Sequence, residues 1–150
     1  MYTNILLSTD GSELANKGVR HGLALAKALN AKATIITVTE AMYIDYGSGH
    51  TSAILPSQDE IDSYEAAHKE HAHNVLKVVR SMAEEIGVSS DFLHVPNSHP
   101  ATAIIETAKS KGCDLIVMAS HGRRGLRRLF LGSQTSEVLA NGMVPVLVVP

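Results

Sequence analysis

Five short apolar runs alternate along this chain with stretches whose apolar residues recur every three or four positions. The runs at 5–9, 33–39, 92–95, 115–118 and 145–149 read as strands, the second of them rich in β-branched residues. Leu115-Ile116-Val117-Met118 is apolar at every position, the pattern of a strand buried on both faces. Between the first two runs, Leu14, Gly18, Val19, Gly22, Leu23, Ala26 and Leu29 form one helical stripe. Ser12 caps that helix, and Glu13 complements the dipole of its first turn. Gly18 and Gly22 weaken it by about 1 kcal/mol each relative to alanine, so their place on the buried stripe predicts close helix–sheet packing. Ser57-x-x-Glu60 is a capping box that opens a long helix ending at Gly87. Its inward stripe is expected to be Ile61, Tyr64, His68, His71, Val75, Val79, Met82 and Ile86. Pro100 suits the first position of a third helix, with Ala101, Ile104, Ile105 and Ala108 on its apolar side. A last helix over 133–140 is stopped by Asn141-Gly142. Residues 41–56 are the longest irregular segment, the kind of loop that often serves as a lid or stays mobile.

Strands alternating with helices, with no repeat or linker between them, predict one α/β domain over 1–150. Right-handed crossovers make it a mostly parallel sheet with helices on both faces. Ligands bind such sheets beyond the strand C-termini, where the strand order reverses.

Composition narrows the function classes. With 150 residues, 45% apolar and 19% charged, the chain has the size and balance to bury a core without disulfides or metal. Its 13 Lys and Arg against 15 Asp and Glu leave it nearly neutral, which argues against a nucleic-acid binder. The one cysteine, Cys113, excludes an intramolecular disulfide and is expected to be a small buried residue. No basic leader opens the chain, and no apolar stretch approaches about 18 residues. Neither signal peptide nor membrane span is expected, and the expected compartment is the cytoplasm.

The chemistry concentrates after the fourth strand. The chain there reads Ala119-Ser120-His121-Gly122, then nine residues, then Gly132-Ser133 at the start of the last helix. A strand, a glycine-punctuated loop and a helix N-terminus make a phosphate cradle, because the first helical N–H groups lack intrahelical partners and point at the ligand. Neither Gly-x-Gly-x-x-Gly after the first strand nor Gly-Lys-Ser/Thr occurs. The spacing resembles the ATP-binding signature of the universal stress protein family: glycine, two residues, glycine, nine residues, glycine, then serine or threonine. Gly122, Gly132 and Ser133 match it, and the first glycine is Ala119 here. The resemblance covers essentially the whole chain.

That resemblance implies a Rossmann-like fold with a five-stranded parallel sheet in the order 3-2-1-4-5. The reversal then lies between strands one and four, whose loops at Thr9-Asp10 and 118–122 become neighbours. It assigns Asp10 a hydrogen bond to ribose or adenine and gives the backbone of Val38 the adenine edge. Gly122, Gly132 and Ser133, with Gln134, hold the phosphates. Thr9, Met118, Ala119, His121 and Arg123 complete the implied nucleotide site. Local readings stand beside these roles. Asp10 also suits a helix cap, and the loop also suits a plain connection that contains glycines. The Ala119 methyl either crowds the ribose or is accommodated. Arg123, Arg124, Arg127 and Arg128 either offset phosphate charge or form a solvated cluster. Of the eight histidines, His68, His71 and His73 share one helix. No cysteine or carboxylate completes a ligand set there, so no protein-held metal is expected.

In the implied order the strand at 145–149 lies on the sheet edge, hydrophobic and without a charged residue to block pairing. It is expected to pair with a second copy in a homodimer. The implied function is an ATP-binding stress-response module, signalling or protective, with little or no hydrolysis. Mg2+ or Mn2+ would be held through the phosphates, no residue is assigned a catalytic role, and protein partners are undefined. Two alternatives remain open. One is an adenine-nucleotide phosphotransferase or hydrolase using His121 or Asp10 as base. The other is a dimeric module that binds AMP or a cyclic nucleotide.

Overall fold

The computed structural model describes residues 1–43, 55–122 and 131–150. Its elements run β1 (Asn4–Ser8), α1 (Glu13–Leu29), β2 (Lys32–Val38), α2 (Gln58–Ile86), β3 (Ser90–Val95), α3 (Pro100–Ser110), β4 (Leu115–Ala119), α4 (Ser133–Asn141) and β5 (Val146–Val149). The strands form one parallel sheet in the order β3-β2-β1-β4-β5. The strand order and the helices on both faces agree with expectation. Among the described residues no helix is long and apolar enough to cross a membrane.

The period-2 geometry of the strands divides the core between the two faces. Ile5, Leu7, Ile35, Leu115 and Val117 pack under Val19 and Leu23 of α1 and Val79 and Met82 of α2. Leu6, Ile36, Ile116 and Met118 pack under Ala101, Ile104 and Ala108 of α3 and Val138 of α4. Ile5, Leu6, Leu7, Leu23, Ile35, Ile36 and Ile116 are fully buried, each worth about 1.5–3 kcal/mol of transfer free energy.

Close approach explains the glycines of α1. A Cβ on Gly22 would fall 2.3 Å from Leu7 Cδ2, and one on Gly18 would fall 3.3 Å from the backbone nitrogen of Ala119. Both residues let the helix lie directly on the sheet, as their place on the stripe predicts. Ser12 caps α1 by accepting from Ala15 N, and the Ser57–Glu60 capping box opens α2 as read from the sequence. Cys113 is buried, which pushes its thiol pKa up.

Two stripes differ from their sequence reading. In α1, Ala15 is buried, whereas Leu29 is 38% exposed at the helix end. In α2 only the C-terminal half is deeply buried, through Ala72, Val75, Val79, Met82 and Ala83. Ile61, Tyr64, His68 and His71 are half-buried. Length is the reason: α2 is about 40 Å long, while the edge strand β3 beneath it spans about 20 Å. The first turns of α2 therefore run past the strand C-termini, where Tyr64 OH donates to Glu40 O and Asn97 Nδ2 donates to Glu65 Oε1.

Candidate functional site

β1 and β4 are adjacent, but the chain leaves them toward opposite faces, α1 joining the cluster with α2 and α4 the cluster with α3. The place between their loops is the switch point of the sheet, where folds of this kind carry their ligand crevice.

The β1 side of the crevice is a tightly bonded turn. Thr9 N donates to Ile36 O, which carries the β1–β2 ladder one residue past the strand. Thr9 Oγ1 accepts from Gly11 N at 3.1 Å and donates to Asn16 Oδ1 at 3.3 Å. Asp10 Oδ1 accepts from Ser12 N at 2.9 Å. Ser12, not Asp10, caps the helix. The aspartate thus shapes the turn through Oδ1, and its Oδ2 lies beside Gly122.

The β4 side is tied to α4 and β5. Ser120 N donates to Val149 O, Gly132 N donates to Ser120 O, and Thr135 Oγ1 donates to Ala119 O at 3.0 Å. These bonds hold the first turn of α4 against the end of β4. Gly132 is the N-cap of α4, and no side chain caps that turn. Its amide groups and the positive end of the helix dipole suit an anion.

Two glycines permit close packing here. A Cβ on Gly122 would fall 2.8 Å from Asp10 Oδ2, so the Asp10 carboxylate reaches the β4 loop at a position where a side chain would displace it. A Cβ on Gly132 would fall 3.3 Å from Ser120 O and 3.4 Å from His121 Cα. His121 is half-buried beside them. Its Nδ1 lies 2.9 Å from Ser120 Oγ, and its Nε2 is buried with no hydrogen-bond partner among the described residues.

The structure thus brings together Thr9, Asp10, Ala119, His121, Gly122, Gly132 and Ser133. Met118 is buried in the α3–α4 cluster, and Val38 at the end of β2 packs against the same cluster. The Ala119 methyl lies on the α1 face, where Gly18 makes room for it. Gln134 Oε1 accepts from Ala101 N at 2.9 Å, which engages the carboxamide at the start of α3. Arg123, Arg124, Arg127 and Arg128 lie outside the described residues, as does the 44–54 part of the 41–56 segment.

Sequence reasoning missed Ser120, Thr135 and Asn16, the side chains that support the site from behind. Thr135 had a signal, since it stands three residues before Val138 on the apolar side of a helix. Ser120 and Asn16 had none, because their partners are set by the turn.

Away from the crevice, His94 Nε2 lies 2.7 Å from Thr39 Oγ1, and His68 stacks on Tyr64 with ring centroids 4.1 Å apart. Burial, then the charges of His68 and Lys69, hold the His94 pKa below its ordinary value. Among the described residues no group of three or more His, Cys, Asp or Glu is placed to hold a metal. A shallow cavity of about 400 Å³ runs along α3, lined by Val95, Thr102, Glu106 and Ser110 among others, and lacks the crevice's opposed loops.

Known proteins share this chain and fold. The model of the Universal stress protein family matches residues 1–150. Universal stress protein MJ0531 of Methanocaldococcus jannaschii is 34% identical over 149 residues, covering 99% of this chain and 82% of the relative. The solved structure of MJ0577 from the same organism superposes with a TM-score of 0.80 at 27% identity, covering 99% of this chain and 96% of that one. A universal stress protein in complex with cAMP shares the fold at TM-score 0.69 and 22% identity, with 99% and 96% covered. One from Archaeoglobus fulgidus in complex with dAMP does so at TM-score 0.66 and 16% identity, with 99% and 98% covered. Matched by the family model from its first residue to its last, the chain belongs to the universal stress protein family.

Proposed function

We propose that the chain is a single-domain cytoplasmic module that binds an adenine nucleotide, ATP foremost, in the crevice between the β1 and β4 loops. The observation that carries this reading is the apposition of Asp10 Oδ2 and Gly122 beside the uncapped start of α4. A carboxylate suits ribose hydroxyls, and the amide-rich turn suits phosphates. Family members in complex with cAMP and dAMP support an adenylate as the ligand class. Asp10, with Thr9 behind it, meets the sugar, and the backbone of Val38 meets the base. Met118 and Ala119 carry the strand end that sets the floor. Gly122, Arg123, Gly132, Ser133 and the backbone of Gln134 meet the phosphates. A divalent ion, Mg2+ or Mn2+, is held through those phosphates and not by a protein ligand set.

Hydrolysis is slow or absent in this reading. One oxygen of Asp10 is held in its turn and the other is assigned to the sugar, and Nδ1 of His121 is paired with Ser120, so neither is assigned the activation of water. The module works by changing with its nucleotide load in a stress response. It does so as a homodimer through β5, an edge strand preceded in the chain by the exposed Leu139 and Met143.

Calorimetric titration with Mg2+-ATP, AMP and cAMP tests the ligand. Saturable binding of at least one is expected, with ATP tightest. Tighter binding of AMP or cAMP would replace ATP with a monophosphate reading, and no binding by any of the three would end the nucleotide assignment.

A further inference from the structure

Within the crevice read above as a nucleotide site, one buried polar atom has no hydrogen-bond partner among the described residues: Nε2 of His121. The ring is held from its other side, by Ser120 Oγ at 2.9 Å from Nδ1. Ser120 itself is fixed at both backbone groups, its N–H donating to Val149 O on β5 and its carbonyl accepting from Gly132 N at the cap of α4. The hydroxyl is therefore mounted on a rigid post where β4, β5 and α4 converge, on a residue that is 8% exposed.

Distance alone leaves open which atom of this pair donates. Donor count decides it. Among the described residues the Ser120 hydroxyl has one hydrogen-bond partner, Nδ1, and a buried hydroxyl with one acceptor in reach gives its proton to that acceptor. An accepting Nδ1 in a neutral imidazole leaves the ring proton on Nε2. The unpartnered atom is then an N–H, and a buried N–H requires an acceptor. It stands in the loop that joins β4 to the α4 N-terminus, with the His121 backbone against Gly132.

We propose that Ser120 is a positioning residue that fixes the Nε2–H tautomer of His121, and that His121 thereby donates a hydrogen bond to a phosphoryl oxygen of the bound nucleotide. The inference rests on the nucleotide reading for its ligand, but not for its tautomer. A phosphoryl oxygen fits because it accepts only, and the neighbouring α4 terminus favours the same charge. In this arrangement an uncharged ring reads the phosphate, while Ser120 touches no ligand.

Nitrogen-15 NMR of the free protein at pH 8 tests the first half. The His121 ring is expected as the Nε2–H tautomer in the wild type and in Ser120→Thr, and as a shift toward Nδ1–H or a mixture in Ser120→Ala. Dispersion of the remaining spectrum verifies that each variant is folded. Titration with ATP and with adenosine tests the second half. Ser120→Ala and His121→Ala should each weaken ATP by about tenfold, the weight of one hydrogen bond to a charged group. The double variant should be no weaker than His121→Ala, Ser120→Thr should restore affinity, and adenosine should be unaffected throughout. An Nδ1–H wild type overturns the proposal, as does a Ser120→Ala variant with unchanged tautomer and affinity. Equal losses for ATP and adenosine would make Ser120 merely structural. The expected tautomer in a protein that binds no adenylate would sink the nucleotide reading and the donor role together, while the hold of Ser120 on the ring would survive.

Discussion

At the amino-terminal ends of the strands every polar group of the Thr3–Asn4–Asp114 cluster finds its partner inside the chain. Asp114 Oδ2 accepts from both N and Oγ1 of Thr3 at 2.8 Å, and Oδ1 accepts from Asn4 N at 3.2 Å. Asn4 Nδ2 donates to Lys111 O, and Asn4 Oδ1 accepts from Thr34 Oγ1. At the carboxy-terminal ends of the same β1 and β4, the Asp10 carboxylate reaches the β4 loop beside Gly122, α4 starts without a side-chain cap, and His121 Nε2 has no described partner. The difference teaches where each property of this fold resides. One end is closed by self-satisfied hydrogen bonds that serve stability, and the other has polar groups without a match among the described residues, which is where the proposed ligand would bind.

Substitutions at the two ends should therefore separate binding from folding. The largest effect is expected from Gly122→Val and Gly132→Val, which push side chains into Asp10 Oδ2 and into the Ser120–His121 backbone respectively. Each should cut adenylate affinity about 10- to 100-fold with the fold retained, since overpacking at a fixed site costs about 1–3 kcal/mol. Calorimetry and circular dichroism check this. If both variants bind like the wild type, the crevice is not the site.

Asp114→Ala should do the reverse. Removing the acceptor of three hydrogen bonds should lower unfolding free energy by about 1–2 kcal/mol in urea titrations, with the adenylate dissociation constant unchanged. A change in affinity without a change in stability would erase the contrast between the two ends.

Acidity gives the smallest and finest test. Burial pushes the Asp114 carboxyl up, but the bonds from Thr3 and Asn4 outweigh it and hold the pKa below its ordinary 3.8. A depressed folded value means that this contribution is complete above the ordinary carboxylate pKa and is lost as pH falls through the lowered one. His94 has the same sign in a higher window. Its folded pKa lies below the ordinary 6.5, so the unfolded chain takes up its proton first and stability declines as pH falls from 6.5 toward the lowered value. Stability-versus-pH curves of Asp114→Asn and His94→Gln should flatten in the acid and the mildly acid window respectively. Curves parallel to the wild type would remove these groups from the account.

The amino-acid sequence by itself determined the elements, because burial periodicity is a local record of which side of a strand or helix faces the core. The Gly18–Gly22 stripe of α1, the Ser57–Glu60 box and the all-apolar 115–118 run were legible for that reason. The strand order was legible through the resemblance of Gly122, Gly132 and Ser133 to a known spacing, and not from any periodicity. Tertiary structure alone decided which atoms meet. It set Gly122 against Asp10, turned the Gln134 carboxamide to Ala101, placed the Ala119 methyl over Gly18, and let the first half of α2 overrun the shorter β3. Each of these depends on registers and crossovers that join residues far apart in the chain, and no local pattern of polar and apolar positions encodes such a distance.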